Sequence, residues 1–286
     1  MKSKIKRIYG YMLTQELRVL PADLAYSFTL AIIPILSLVL YFLTSFKLPS
    51  SLVQNFIETN VPVNLAELLT PLFDASLTPS SLFTIIIGII VAANGCNAII
   101  IASNTIYNME NASILRRFIK SLIIMIIIIV LFAFILIVPL FGRSISNLLI
   151  KYIPLFANHK DIVNVIYTLL QLPVSLFIMY FIIKLIYVIA PDERILSKYV
   201  RKGSMFTTIA WLLVTVTLSY YINHIARYDL VYGNLANIVV LLFWFYILAY
   251  IFVIGLCINK DSVEHAIEKT NSIKLEEIRK RIKENQ

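Results

Sequence analysis

Polar residues interrupt this chain only at wide intervals, and the apolar blocks between them are too long to be the strands or helices of a soluble core. Six blocks, at residues 24–46, 82–101, 119–141, 164–189, 204–223 and 234–258, reach or approach the roughly 20 residues that a helix needs to cross the hydrocarbon of a bilayer. Hydrocarbon offers the backbone no hydrogen-bond partners, so a spanning segment is either a helix or part of a closed barrel. Barrel strands alternate apolar and polar residues, and these blocks are continuous. The pattern therefore predicts an all-α polytopic membrane protein, a bundle of six transmembrane helices.

The connections add detail. In residues 47–81, Leu52, Val53, Phe56 and Ile57 recur at helical spacing, as do Leu65, Leu68, Leu69 and Leu72. This predicts short amphipathic helices lying on the outer membrane surface, or capping the bundle. Loop 142–163 is read the same way. Residues 1–23 form an N-terminal tail, 24–258 the membrane domain, and 259–286 a charged tail expected to be a solvated helix. The basic start precedes a span too long for a signal-peptide core, so the first span is expected to be an uncleaved insertion signal.

Charge sets the orientation. Only 14% of residues are charged, against about 25% in soluble domains, so the net charge of +9 is read as topological and not as a nucleic-acid surface. Nineteen of the 25 lysines and arginines fall on the side of the two tails and of the loops around Arg116 and Arg194. The expectation is a plasma (inner) membrane protein with both termini cytoplasmic. Cys96 and Cys257 are far apart within apolar runs, which gives neither a disulfide framework nor a metal site. The three histidines are scattered, and no zinc, two-metal, P-loop or nucleophile-elbow pattern is present, so no cofactor is expected and an enzyme is disfavoured.

What remains is polarity inside the spans. Asn94, Asn97 and Asn104 fall within about 80° on one helix face, and Asn94 lies about 18 Å below the outer edge, near mid-bilayer. Span one places Asp23, Tyr26, Pro34, Ser37, Tyr41 and Thr44 on one side. Span five carries Thr208, Trp211, Thr215, Ser219 and Asn223, and span six Asn237, Trp244, Gly255 and Asn259. Such faces point into a bundle or toward water. They line a hydrated cavity or they glue helices together, and both readings stay open. Pro34 is expected to kink span one, and Gly88 and Gly95 allow close packing. Lys184, just inside span four, either snorkels to the interface or pairs with Asp23.

Four stretches carry a resemblance: "DLAYSFTLAIIPILSL", "ASNTIYNMENASILRRF", "APDERILSKYVRKGSMFTTIAW" and "YGNLANIVVLLFWFYILAYIFVIGLCIN". In order and spacing they resemble the YihY/BrkB family of inner-membrane proteins, over about residues 10–260. Ala236 stands where the family has a second glycine. The resemblance singles out Tyr26, Pro34, Asn104, Arg116, Pro191, Gly203, Trp211, Tyr232, Gly233, Trp244, Tyr246, Gly255 and Asn259. It implies six helices and cytoplasmic termini. Members were once labelled ribonuclease BN, and others are associated with virulence or envelope lipids.

The resulting expectation is a transporter or translocator of a lipid or other amphiphile. Asp23, Tyr26, Ser37, Asn94, Asn97, Asn104, Lys184, Thr208, Trp211, Thr215, Tyr232, Trp244 and Asn259 would line its cavity. Arg116, Arg117, Arg201 and Lys202 would meet anionic head groups of membrane lipids at the cytoplasmic side. The alternatives are a non-transporting scaffold or regulator and, less favoured, an intramembrane enzyme or nuclease.

Overall fold

The computed structural model describes residue 10 and residues 15–45, 81–152, 160–224 and 236–284, with some side chains inside those helices, Ser37 among them, left undescribed. The outer segment 47–80, Tyr232 and Gly233 lie outside the described residues. Six helices account for almost everything else: α1 (Gln15–Ser45), α2 (Ser81–Ile106), α3 (Ile114–Tyr152), α4 (Lys160–Ile189), α5 (Arg201–His224) and α6 (Ala236–Glu284). Among the described residues there are no strands, as the continuous apolar blocks required.

Four of the helices carry stretches long and apolar enough to cross a membrane: Ile86–Ile106, Ile114–Phe134, Leu172–Ile189 and Ile238–Glu268. In α1 the apolar stretch so described is shorter, Val19–Ile32. α5 is diluted by Ser204, Thr207, Thr208, Thr215 and Thr217. α3 is longer than the predicted span. The helix runs through Arg143, Ser144 and Asn147 into what the sequence pattern assigned to a loop, and it ends two residues before Pro154. Nothing between Phe141 and Tyr152 except Gly142 disfavours a helix, whereas a proline disfavours helical backbone in the residue before it. α6 is longer still. Its 49 residues carry the last span without a break into the charged tail, about 74 Å in all.

Around the bundle each helix packs on the next, α1 on α2, α2 on α3, and so on to α6, which returns to α1. α1 also meets α3, and α2 meets α6, across the ring. The end that carries loops 107–113 and 190–200 is the basic end. Toward it α2, α4, α5 and α6 are tightly packed: Ala98, Ile99, Ile100, Ile182, Ile183, Ile186, Tyr187, Ser204, Thr207, Ala249, Phe252, Val253 and Leu256 supply buried side chains. Away from it burial thins out along α2, α4 and α5, while Val39 of α1, Ala133 of α3 and Val240 of α6 remain buried. Residues 86–91 of α2, 172–181 of α4 and 209–217 of α5 contain no buried side chain. Close helix approach depends on missing methyl groups, at the basic end and also near the middle of the bundle. A Cβ on Gly203 would run into the Gly255 carbonyl and the Asn259 amide, and a Cβ on Gly95 would lie 2.6 Å from the Ala31 methyl.

Candidate functional site at the basic end of the bundle

α2 ends in a two-bond cap. The Met109 N–H reaches the Asn104 carbonyl (2.9 Å) and the Asn108 N–H reaches that of Thr105 (3.3 Å), with Asn108 left-handed at φ 54°. This is a Schellman arrangement, and asparagine tolerates the left-handed position better than most side chains. The Asn108 amide then donates to Glu264 of α6 (2.8 Å).

The turn brings Asn104 against the loop that follows α4. The Asn104 Oδ1 accepts from the Asp192 N–H (2.9 Å), and its Nδ2 donates to Asp192 Oδ2 (2.7 Å) and to Asn111 Oδ1 (3.0 Å). Asp192 Oδ2 also accepts from the Ala112 N–H (2.9 Å). Lys120 of α3 donates to Asp192 Oδ1 (2.8 Å), to the Pro191 carbonyl (2.6 Å) and, at 3.4 Å, to that of Ala190. Partial burial pushes the Asp192 carboxyl up. The bonds from Ala112, Lys120 and Asn104 outweigh it and hold the group below the usual carboxylate range. Lys120 has three acceptors within reach and both Asp192 oxygens accept, so the pair is held from several sides. The arrangement ties α2, α3 and α4 together.

A second set of contacts joins α4, α5 and α6. The Gly203 N–H donates to Asn259 Oδ1 (2.8 Å). The Tyr187 hydroxyl lies 2.7 Å from Thr207 Oγ1 and donates to the Phe252 carbonyl (2.8 Å). The Trp211 indole donates to the Leu248 carbonyl (2.9 Å). The Tyr107 hydroxyl and the Asn259 Nδ2 are buried and carry no hydrogen bond of good geometry.

The predicted cavity residues therefore separate. Asn104, Thr208 and Asn259 are buried. Asn104 and Asn259 bind other elements, and the Thr208 hydroxyl turns back to the Ser204 carbonyl of its own helix (2.8 Å). Trp211 and Trp244 are half-buried, and the Trp244 indole reaches Thr215 at 3.4 Å. Asp23, Tyr26, Asn94 and Thr215 are exposed. Asn97 is half-buried with an unpartnered Oδ1. Asp23 and Lys184 do not pair: the Lys184 ammonium stands over the Tyr180 ring, 5.8 Å from its centre. Ion pairs join Lys120 to Asp192 and Lys260 to Glu264.

Beside the Lys120–Asp192 pair lies an open groove of about 480 Å³. Ser113, Arg116, Lys120 and Asp192 form its polar end, and Leu115, Ile119, Ile123 and Ile189 its apolar wall. Arg116, Arg201 and Lys202 are exposed, and Arg117 is half-buried with an unpartnered Nε. Sequence reading missed Asp192, Lys120, Asn111, Tyr187 and Thr207. The one signal was an acidic residue directly after Ala190–Pro191 at a span end, and charge counting for topology passes over it.

The family described as Virulence factor BrkB matches residues 8–279. The chain belongs to this family. The BrkB-family relatives include the ribonuclease-like protein YfkH of Bacillus subtilis (strain 168), 28% identical over 262 residues, which cover 90% of this chain and 94% of that protein. A UPF0761 membrane protein of Pseudoalteromonas translucida (strain TAC 125), PSHAa0171, is 27% identical over 93 residues, 32% of this chain and 31% of that protein. No solved structure matches this chain. The BrkB family is one of membrane proteins, in keeping with the four apolar helices. Among the described residues no three His, Cys, Asp or Glu side chains stand together as metal ligands do.

Proposed function

We propose that this protein spans the plasma membrane six times with both termini cytoplasmic, and that it moves a lipid or lipid-linked amphiphile between the leaflets. α1 and α5 each pack between helices that are apolar enough to span, which supports counting them as the first and fifth spans of the same ring. The positive-inside rule supports placing the basic end in the cytoplasm. A single observation carries the translocation reading: the packing asymmetry of the bundle. The cytoplasmic half is closed by interhelical hydrogen bonds and glycine contacts. In the opposite half, Asn94 and Thr215 stand exposed at membrane depth, with the half-buried Trp244 indole reaching Thr215. A translocator closed at one face and open toward the other has this form, because uncovered polar groups at that depth need water or a ligand.

The experiment is reconstitution of the purified full-length protein in liposomes containing fluorescent phospholipids. Movement between leaflets faster than in protein-free liposomes is the expected result. Rates equal to protein-free liposomes, for anionic and zwitterionic lipids alike, would remove the translocation reading.

A further inference from the structure

We infer that the groove at the start of α3 binds the phosphodiester head of an anionic lipid, with the acyl chain lying along the helix. Membrane embedding is all that this requires, and it stands independently of translocation.

Charge is the first reason. Lys120 and Asp192 neutralise each other, and Lys120 has three acceptors within reach. Arg116 is exposed and has no ion-pair partner among the described residues. The groove therefore presents one net positive charge, carried by a guanidinium whose planar fork fits two phosphate oxygens. A phosphodiester carries one negative charge and complements it. A zwitterionic head would bring an ammonium to the same place.

Shape is the second reason. Leu115, Ile119 and Ile123 follow at i, i+4 and i+8, so they form one line about 12 Å long on the surface of α3. All three are exposed large hydrophobics. The line starts beside Arg116 and runs away from the basic end, so the polar and apolar parts of the groove have the order of a lipid standing in a leaflet. Free phosphate would leave the line uncovered. The volume, about 480 Å³, falls within the range of small-ligand sites, roughly 300–1,000 Å³.

The test measures binding of three probes to the full-length protein in uncharged detergent: short-chain phosphatidylglycerol, phosphatidylcholine with the same chains, and glycerol phosphate with none. Phosphatidylglycerol is expected to bind at least about tenfold tighter than either of the others. Arg116→Gln should weaken it about tenfold, and Lys198→Gln, which removes an exposed charge of the same end outside the groove, should leave it unchanged. Ile123→Asn should weaken phosphatidylglycerol without touching Arg116, which keeps the inference testable if the arginine variant does not fold. Equal binding of the two lipids, equal loss in Arg116→Gln and Lys198→Gln, or an unchanged Ile123→Asn protein would each overturn the site. Glycerol phosphate binding as tightly as the lipid would mean a soluble anion is the ligand and would overturn the lipid assignment. A phosphatidylglycerol site without lipid movement keeps this inference and ends the translocation reading; movement without the site does the reverse.

Discussion

At the basic end, Asn104, Asn259 and Tyr187 direct their hydrogen bonds to other elements, while farther from that end Asn94 of α2 and Thr215 of α5 stand exposed. The helices are continuous, so secondary structure does not make the difference. Spacing between helices does. Gly203 and Gly255 let α5 and α6 approach until a backbone N–H of one meets a side-chain amide of the other. Farther out the Trp244 indole reaches Thr215 at 3.4 Å, while α1 and α2 stay close, with Gly88 beside Pro34 and Gly95 beside Ala31. A polar residue in a membrane helix is structural where a neighbour comes within about 3 Å, and available to water or a ligand where none does.

The largest expected effect breaks the closed end. Gly203→Ala places a methyl against the Gly255 carbonyl and the Asn259 amide, neither of which can move without parting the two helices. We expect a loss of about 3 kcal/mol, the upper part of the usual overpacking range. Gly88→Ala makes the same change toward the far end, 3.3 Å from the Pro34 side chain, and should alter stability by less than about 1 kcal/mol. Thermal unfolding in detergent compares them. If the two variants are equally stable, the ends of the bundle do not differ in packing and the comparison fails.

A smaller effect, about 2 kcal/mol, is expected from Asp192→Asn, which removes a charged acceptor from a partly buried set of bonds. Its pH dependence identifies the cause. The folded-state pKa of Asp192 lies below the usual carboxylate value, so its stabilisation is complete above that value, about 3.9, and is lost as pH falls through the depressed pKa. The parent and Asp192→Asn proteins should therefore differ by a constant amount between about pH 5 and 8 and converge below about pH 4. A difference that persists undiminished at the acid end would assign the effect to packing instead of charge.

The sequence made the membrane class legible because hydrophobic block length is a property of each segment alone. The four apolar helices and the absence of strands among the described residues follow from it directly. Helix ends were less legible. Arg143 and Asn147 look like loop residues by polarity, but polarity marks where lipid stops and does not break a helix, so α3 continues to Tyr152. The basic-end network was the least legible. Asn104 was visible as a polar residue on an apolar helix, whereas its partner Asp192 is 88 residues away, and that pairing exists only once α2 and the loop after α4 are side by side. Helical periodicity groups Asn94, Asn97 and Asn104 on one face, but a shared face does not imply a shared environment: Asn94 is exposed, Asn97 half-buried and Asn104 buried.

The smallest expected effect tests that last point. Asn94 is exposed, and Asn97 leaves its Oδ1 without a partner, so Asn94→Leu and Asn97→Leu remove little. Each should change stability by less than the roughly 0.6 kcal/mol typical of one interhelical polar contact. Asn104→Leu, which loses bonds to Asp192 and Asn111, should cost several times more. Stability alone does not separate water from lipid at Asn94, so the second measurement is chemical. Native Cys96 and Cys257 are buried, and replacing both with alanine leaves a background for a single cysteine at position 94. A membrane-impermeant thiol reagent should modify it, because a water-lined opening admits the reagent and hydrocarbon does not. Modification together with an unchanged Asn94→Leu stability is the outcome that the open far half requires. An unreactive cysteine together with a more stable leucine variant would mean that this face of α2 meets acyl chains, and the polar surface on which the translocation reading rests would then be lipid-covered.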